Sequence, residues 1–191
     1  MTKGRLEAFS DGVMAVIITI MVLELAAPHE PTWEALRHLT PVVLSYVLSY
    51  VFIGIYWSNH HHLMQIVQHV DGRVLWANLH LLFWLSLVPF ATAWMGETHF
   101  SSPPVAVYGI VLLMASIAYF ILTRQLLALH PHDSKLAVAL GDDFKGKISI
   151  LWYIIAVACS SRWPGVACGF YVLVAIMWLV PDRRIERTLN H

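Results

Sequence analysis

Long apolar runs dominate this sequence and limit what it can fold into. From Val13 to Leu23 eleven consecutive residues carry no charge. A helix needs about 20 mainly apolar residues to cross the hydrocarbon core of a bilayer, and several segments reach that length. Of the 191 residues 58% are hydrophobic and 13% charged, where a soluble domain has about 45–50% and about 25%. Mean hydropathy is +0.65. A soluble helical bundle fits this poorly, so the expectation is an all-α integral membrane protein.

Six transmembrane spans can be read along the chain. The first runs over 6–27 and ends before Pro28, and the Pro31–Pro41 segment is an external turn. The second covers 42–61 and continues as a water-exposed helix toward Val70. Asp71, Gly72 and Arg73 make the next turn. The third, 74–95, contains Pro89, and a loop follows from Gly96 to Pro104. The fourth is 105–127. A polar stretch runs from His130 to Lys147, with Gly141 and Gly146 as breakers. The fifth, 148–161, is short, and the sixth is 166–180. No internal repeat is visible, so residues 1–191 form a single six-helix domain.

Charge orients the spans, because cytoplasmic loops carry excess Lys and Arg. Ten of the twelve basic residues, Lys3, Arg5, Arg73, Arg124, Lys135, Lys145, Lys147, Arg183, Arg184 and Arg187, fall on one side; only Arg37 and Arg162 fall on the other. An even number of spans explains this split. The chain is therefore expected in the cell membrane, multi-pass, with membrane lipid around it and N- and C-termini cytoplasmic. Leu25-Ala26-Ala27-Pro28 is only faintly like a cleavage site, so a retained first helix is expected. Formal net charge is zero; with no basic block, nucleic acid is not expected as a partner. Cys159 and Cys168 lie in or near apolar spans and read as small buried residues.

The first span carries the polar residues that most need explaining. An ionisable group within a membrane helix is costly and faces protein or water. Asp11 lies one to two turns in, with Ser10 beside it; both could instead be capping groups at the interface. Gly12, Val16, Thr19 and Leu23 recur at i, i+4, i+7 and i+11 and share one face, flanked by Ile20. On spacing alone that face could be ordinary helix packing.

Arg5, Phe9, Ser10, Asp11 and Gly12 compose an Arg-x-x-x-Phe-Ser-Asp-Gly pattern. It resembles the signature of bacterial relatives of the endolysosomal potassium channel, the transmembrane protein 175 family. Tyr56-Trp57-Ser58-Asn59-His60-His61 is similar to the family's Trp-x-x-His stretch. Trp76-Ala77-Asn78-Leu79 and Leu87-Val88-Pro89-Phe90-Ala91-Thr92 are similar to its third-helix pattern. The motifs cover roughly the first half of the chain, and the second half only its hydropathy supports. The resemblance implies a potassium-permeable cation channel, a homotetramer with one six-helix unit per chain. The first helices would line a central pore passing potassium and other monovalent cations.

The resemblance implies that Val16, Thr19 and Leu23 face the pore, with Ile20 at its edge. The chain has no Thr-Val-Gly-Tyr-Gly filter, so carbonyl rings of the usual kind cannot select the ion. Hydrophobic constrictions at Val16 and Leu23 would stand in their place, with Thr19 the expected selectivity position. Arg5, Phe9, Ser10, Asp11 and Gly12 would anchor the first helix instead of touching the ion. Their expected partners are Trp57, His60 or His61, Asn78 and His80.

Other chemistries have less support in the residues. His60, His61 and His62 are consecutive and fan around a helix, whereas zinc pairs on helices use i, i+4 spacing, so no metal site and no cofactor beyond permeant potassium is expected. Protonation of a histidine could gate such a channel, but nothing selects which one. Glu24 could attract cations at the outer mouth or simply sit at the interface. Trp33, Trp94, Trp152, Trp163 and Trp178 read as interfacial anchors, and Pro89 and Gly109 as packing or kink sites. A secondary cation or proton-coupled transporter is the alternative function; its inverted repeats and paired broken helices are not visible. No hydrolase triad, HEXXH or phosphate loop suggests an enzyme.

Overall fold

The computed structural model describes residues 2–130 and 144–179. The features expected at Lys135, Gly141, Val180, Asp182, Arg183, Arg184 and Arg187 lie outside the described residues. Regular structure among those described is entirely helical: α1 (Lys3–Leu23), α2 (Trp33–His38), α3 (Thr40–Ile66), α4 (Gly72–Ser86), α5 (Val88–Glu97), α6 (Ser102–Leu129), α7 (Phe144–Ser160) and α8 (Pro164–Leu179). Among the described residues four rods are long and apolar enough to cross a membrane: α1, α3, the α4–α5 unit and α6. Over the described residues α7 and α8 are shorter, with 17 and 16 residues.

Local chemistry explains most helix ends. Thr32 accepts from the Ala35 amide at 3.2 Å and caps α2, whose last turn carries Arg37 and His38 against the helix dipole. Asp71 accepts from the Val74 amide at 2.9 Å and starts α4. Pro41, Pro89 and Pro103 each lie in a first turn, where a missing N–H costs nothing. Pro89 also divides the third rod: it cannot bond the carbonyl four residues back, so the helix breaks at Leu87 and resumes as α5. Between α5 and α6 the chain reverses through His99 and Phe100, both at positive φ (53° and 58°), a conformation uncommon outside glycine.

α1 lies at one edge of the bundle, packed on α3, α4 and α5, while α6 stands centrally against α4, α5, α7 and α8. Two glycines allow close approach. A Cβ on Gly96 would come within 2.8 Å of the Val42 Cα, so α5 meets α3 backbone to backbone. One on Gly109 would collide with the Tyr171 hydroxyl, which donates to the Val105 carbonyl at 2.9 Å. Gly109 thus takes the packing alternative, as a contact site between α6 and α8. Between these approaches, Thr92, Ser49 and Tyr108 join hydroxyl to hydroxyl at 2.7 and 2.9 Å, so α3, α5 and α6 share a satisfied polar knot.

Several expected boundaries shift. α1 ends at Leu23, before Pro28, because Glu24 already closes the last turn. The external turn contains α2, α3 persists to Ile66, and the loop before α6 shortens to a few residues because Pro103 and Pro104 are inside its first turn. Over the described residues α7 already runs from Phe144, so Gly146 lies within a helix; one glycine in a helix costs only about 1 kcal/mol, and Gly146 sits where α7 packs against α3 and α6.

Candidate functional site: the first helix and its polar anchor

α1 has two faces of opposite character. Leu6, Ser10, Met14, Ile17 and Met21 are buried against the bundle. At about 100° per residue, Gly12, Val16, Thr19 and Leu23 point roughly the opposite way, and all four are exposed; Leu23 retains 80% of its accessible surface and Val16 54%. The Thr19 hydroxyl donates to the Val16 carbonyl at 2.8 Å. Its proton is turned back onto the helix, so the oxygen presents lone pairs outward. Ile20, 42% exposed, borders an open groove shared with Glu24, Phe90, Trp94 and Glu97.

The buried face carries a directional chain of hydrogen bonds. Ser10 donates to the Leu6 carbonyl at 2.8 Å, so its oxygen accepts from Asn78 Nδ2 at 2.9 Å. The Asn78 carbonyl oxygen then faces His60 Nε2 at 2.9 Å, which requires the proton on Nε2. Ser10, His60 and Asn78 are all buried, at 1% exposure or less. Three rods are tied by one chain, α3 to α4 to α1. His60 Nδ1 is the one buried side-chain nitrogen or oxygen among the described residues that has no partner.

A second tie lies nearer the surface. Trp57 Nε1 donates to Asp11 Oδ1 at 3.1 Å, while His61 stacks on Trp57 and approaches Glu7 to 3.5 Å. Asp11 therefore engages a partner on α3. Ser10, Asp11, Trp57, His60 and Asn78 are brought together as α1–α3–α4 contacts, and His61 joins through Glu7. His80 stands apart: its Nε2 accepts from Trp84 Nε1 at 3.0 Å, one turn along α4. Arg5 and Phe9 are exposed. The spacing of α1 does not single out Glu7; an acid one turn before Asp11, opposite a histidine-rich helix end, was its available signal.

Four long apolar rods knotted by buried polar side chains define an all-helical integral membrane protein. The model of the family described as endosomal/lysosomal potassium channel TMEM175 matches residues 5–89, the stretch that contains both ties. A potassium channel of Chryseobacterium sp. is 55% identical over 190 residues, covering 100% of this chain and 99% of that protein. A potassium channel of Streptomyces collinus is 36% identical over 125 residues, 61% of each chain. The crystal structure of a lysosomal potassium-selective channel TMEM175 homolog from Chamaesiphon minutus superposes with a TM-score of 0.81 at 27% identity, over 94% of this chain and 97% of that one. The chain belongs to the TMEM175 family.

Proposed function

We propose that this protein is a potassium channel of the cell membrane: a cation channel in which α1 helices from several copies, four by family resemblance, enclose a central pore. The observation that carries this reading is the α1 face of Gly12, Val16, Thr19 and Leu23, uncovered by its own subunit and opposite the buried stripe. One helix face cannot enclose a pathway, and copies around an axis can. The high identity to a potassium channel over nearly its whole length supports the choice of ion.

In this reading six helices span the membrane, with α7 and α8 as the fifth and sixth, and both termini are cytoplasmic. Rings of Val16 and Leu23 form apolar constrictions that close by dewetting. Thr19 oxygens between them replace part of the water a potassium ion sheds, and Ile20 marks the pore edge. Potassium and other monovalent cations permeate, with no cofactor. Ser10 and Asp11 hold α1 against its neighbours through Asn78, His60 and Trp57, with His61 beside Glu7, while Gly12 belongs to the uncovered face and Arg5 and Phe9 stay exposed; His80 steadies α4 through Trp84.

Potassium flux in reconstituted vesicles tests this. Passive, rapid flux with no counter-ion requirement is expected; saturable flux dependent on a second ion's gradient would indicate a coupled transporter instead.

A further inference from the structure

The surface of the α4–α5 rod carries an exposed aromatic ridge whose ring contacts, Phe83 with Trp84 and Phe90 with Trp94, stay on the rod itself. Trp76, Phe83 and Phe90 recur every seven residues and are 73%, 56% and 61% exposed. A seven-residue repeat keeps side chains on one helix face, and Leu87, at the break between α4 and α5, keeps right-handed helical backbone angles (φ −87°, ψ −10°), so the face continues from Phe83 to Phe90. This ridge adjoins α1 on the Ile20 side, since Phe90 and Ile20 share a groove. On the other flank of α1, toward α3, Ala8, Ala15 and Val22 also recur every seven residues, and all are exposed.

The two stripes are in register. The Ser10–Asn78 hydrogen bond fixes the relative height of α1 and α4, 68 positions apart in sequence. The rods run the same way, because Ile20 and Glu24 lie beside Phe90 and Glu97. The same offset pairs the level of Ala8 with Trp76, Ala15 with Phe83 and Val22 with Phe90. Rotation about an axis parallel to the rods preserves height, so each aromatic meets the small or branched residue of its own level in an adjacent copy.

α3 supplies the other wall. Trp57 is level with Asp11 through their hydrogen bond, so Gly54 and Ala15 each lie about one helical turn beyond that level. A Cβ on Gly54 would meet nothing within 4 Å in its own subunit, so nothing in the monomer requires glycine there. Ala15 and Gly54, neither with a bulky side chain, thus lie at about the height of Phe83. Among the four long rods α1 and α3 are also the least covered by the rest of the subunit.

We propose that the subunit interface is head-to-tail: the Trp76–Phe83–Phe90 ridge of one copy inserts into the α1–α3 groove of the next, with Phe83 seated between Ala15 and Gly54. Small residues let membrane helices approach closely. A contact that joins two different flanks of the same chain generates rings when the rotation closes. The occupant is a second copy because the groove borders the α1 face whose pore role already demands copies; the inference rests on that reading. Lipid would cover the same apolar residues but would not require their matched heights.

Cysteine cross-linking tests it. Ala15→Cys and Phe83→Cys are combined in a chain whose Cys159 and Cys168 are changed to serine, then oxidised in the membrane. A single cysteine joins at most two copies, and the two positions lie on opposite flanks of one subunit. A ladder beyond the dimer in multiples of 21.6 kDa, seen only with both cysteines, is expected. Gly54→Leu should keep its helicity but lose the oligomer, as read by light scattering in detergent. No ladder beyond the dimer in particles that remain oligomeric and pass potassium would overturn this packing and leave the channel reading standing. A monomeric particle without potassium flux would remove both.

Discussion

Replacing Asn78 tests whether α1 is held by the buried chain and not by apolar packing alone. Asn78→Leu keeps the branched side-chain outline, at a somewhat larger volume, and removes both 2.9 Å bonds. Ser10 keeps its bond to the Leu6 carbonyl, so little is lost there. His60 loses its only partner, because Nδ1 has none. A buried donor left unpaired costs about 1–3 kcal/mol. His60→Leu strands the Asn78 carbonyl oxygen at a similar cost, whereas the double variant strands neither and should be less destabilised than the sum of its parts. Double-mutant cycles in a membrane bundle average about 0.6 kcal/mol with a maximum near 1.7. A coupling of about 1–2 kcal/mol is therefore expected here, where both partners are fully buried. Equilibrium unfolding of the purified protein in mixed micelles, followed by far-UV circular dichroism, measures all four corners of the cycle. Additive losses would refute the chain as a cooperative tie.

Other outcomes follow from the same geometry. Thr19→Ala should lower the potassium-to-sodium preference in single-channel recordings while conduction persists; an unchanged ratio removes the selectivity role. Asp11→Ala should impair folding or gating before selectivity, with Trp57→Phe a milder version because it removes only the indole N–H; normal assembly with altered selectivity alone would contradict the anchoring assignment. Gly109→Ala should lower stability by about 1–3 kcal/mol, the usual cost of overpacking, and Tyr171→Phe in the same chain should recover part of the loss in thermal melts.

The membrane class and the long rods were legible because apolar length leaves little choice of environment. That Asp11 needs a partner was legible because a carboxylate inside such a rod is costly, and Trp57 faces it at 3.1 Å. His80 was not: nothing in the residue itself says that Trp84, one turn away, satisfies it locally while Asn78 takes the place beside Ser10. Gly109 read as either a packing or a kink site, and the residues alone could not choose because its packing partner, Tyr171, is distant in sequence. Boundaries shifted where tertiary packing outweighs a local signal, as at Gly146. The opposing faces of α1 show the limit of periodicity, which finds a shared face but not what covers it.

Site-directed accessibility measures most directly whether the uncovered α1 face lines the ion path. Single cysteines at Val16, Thr19 and Leu23, and at buried Ile17 as control, are introduced into the chain lacking Cys159 and Cys168. Each is exposed to a charged, membrane-impermeant thiol reagent during potassium recording. A pore lined by α1 predicts block at positions 16, 19 and 23, protection by permeant potassium, and no effect at 17. Undiminished current at all three face positions, with potassium still flowing, would contradict it.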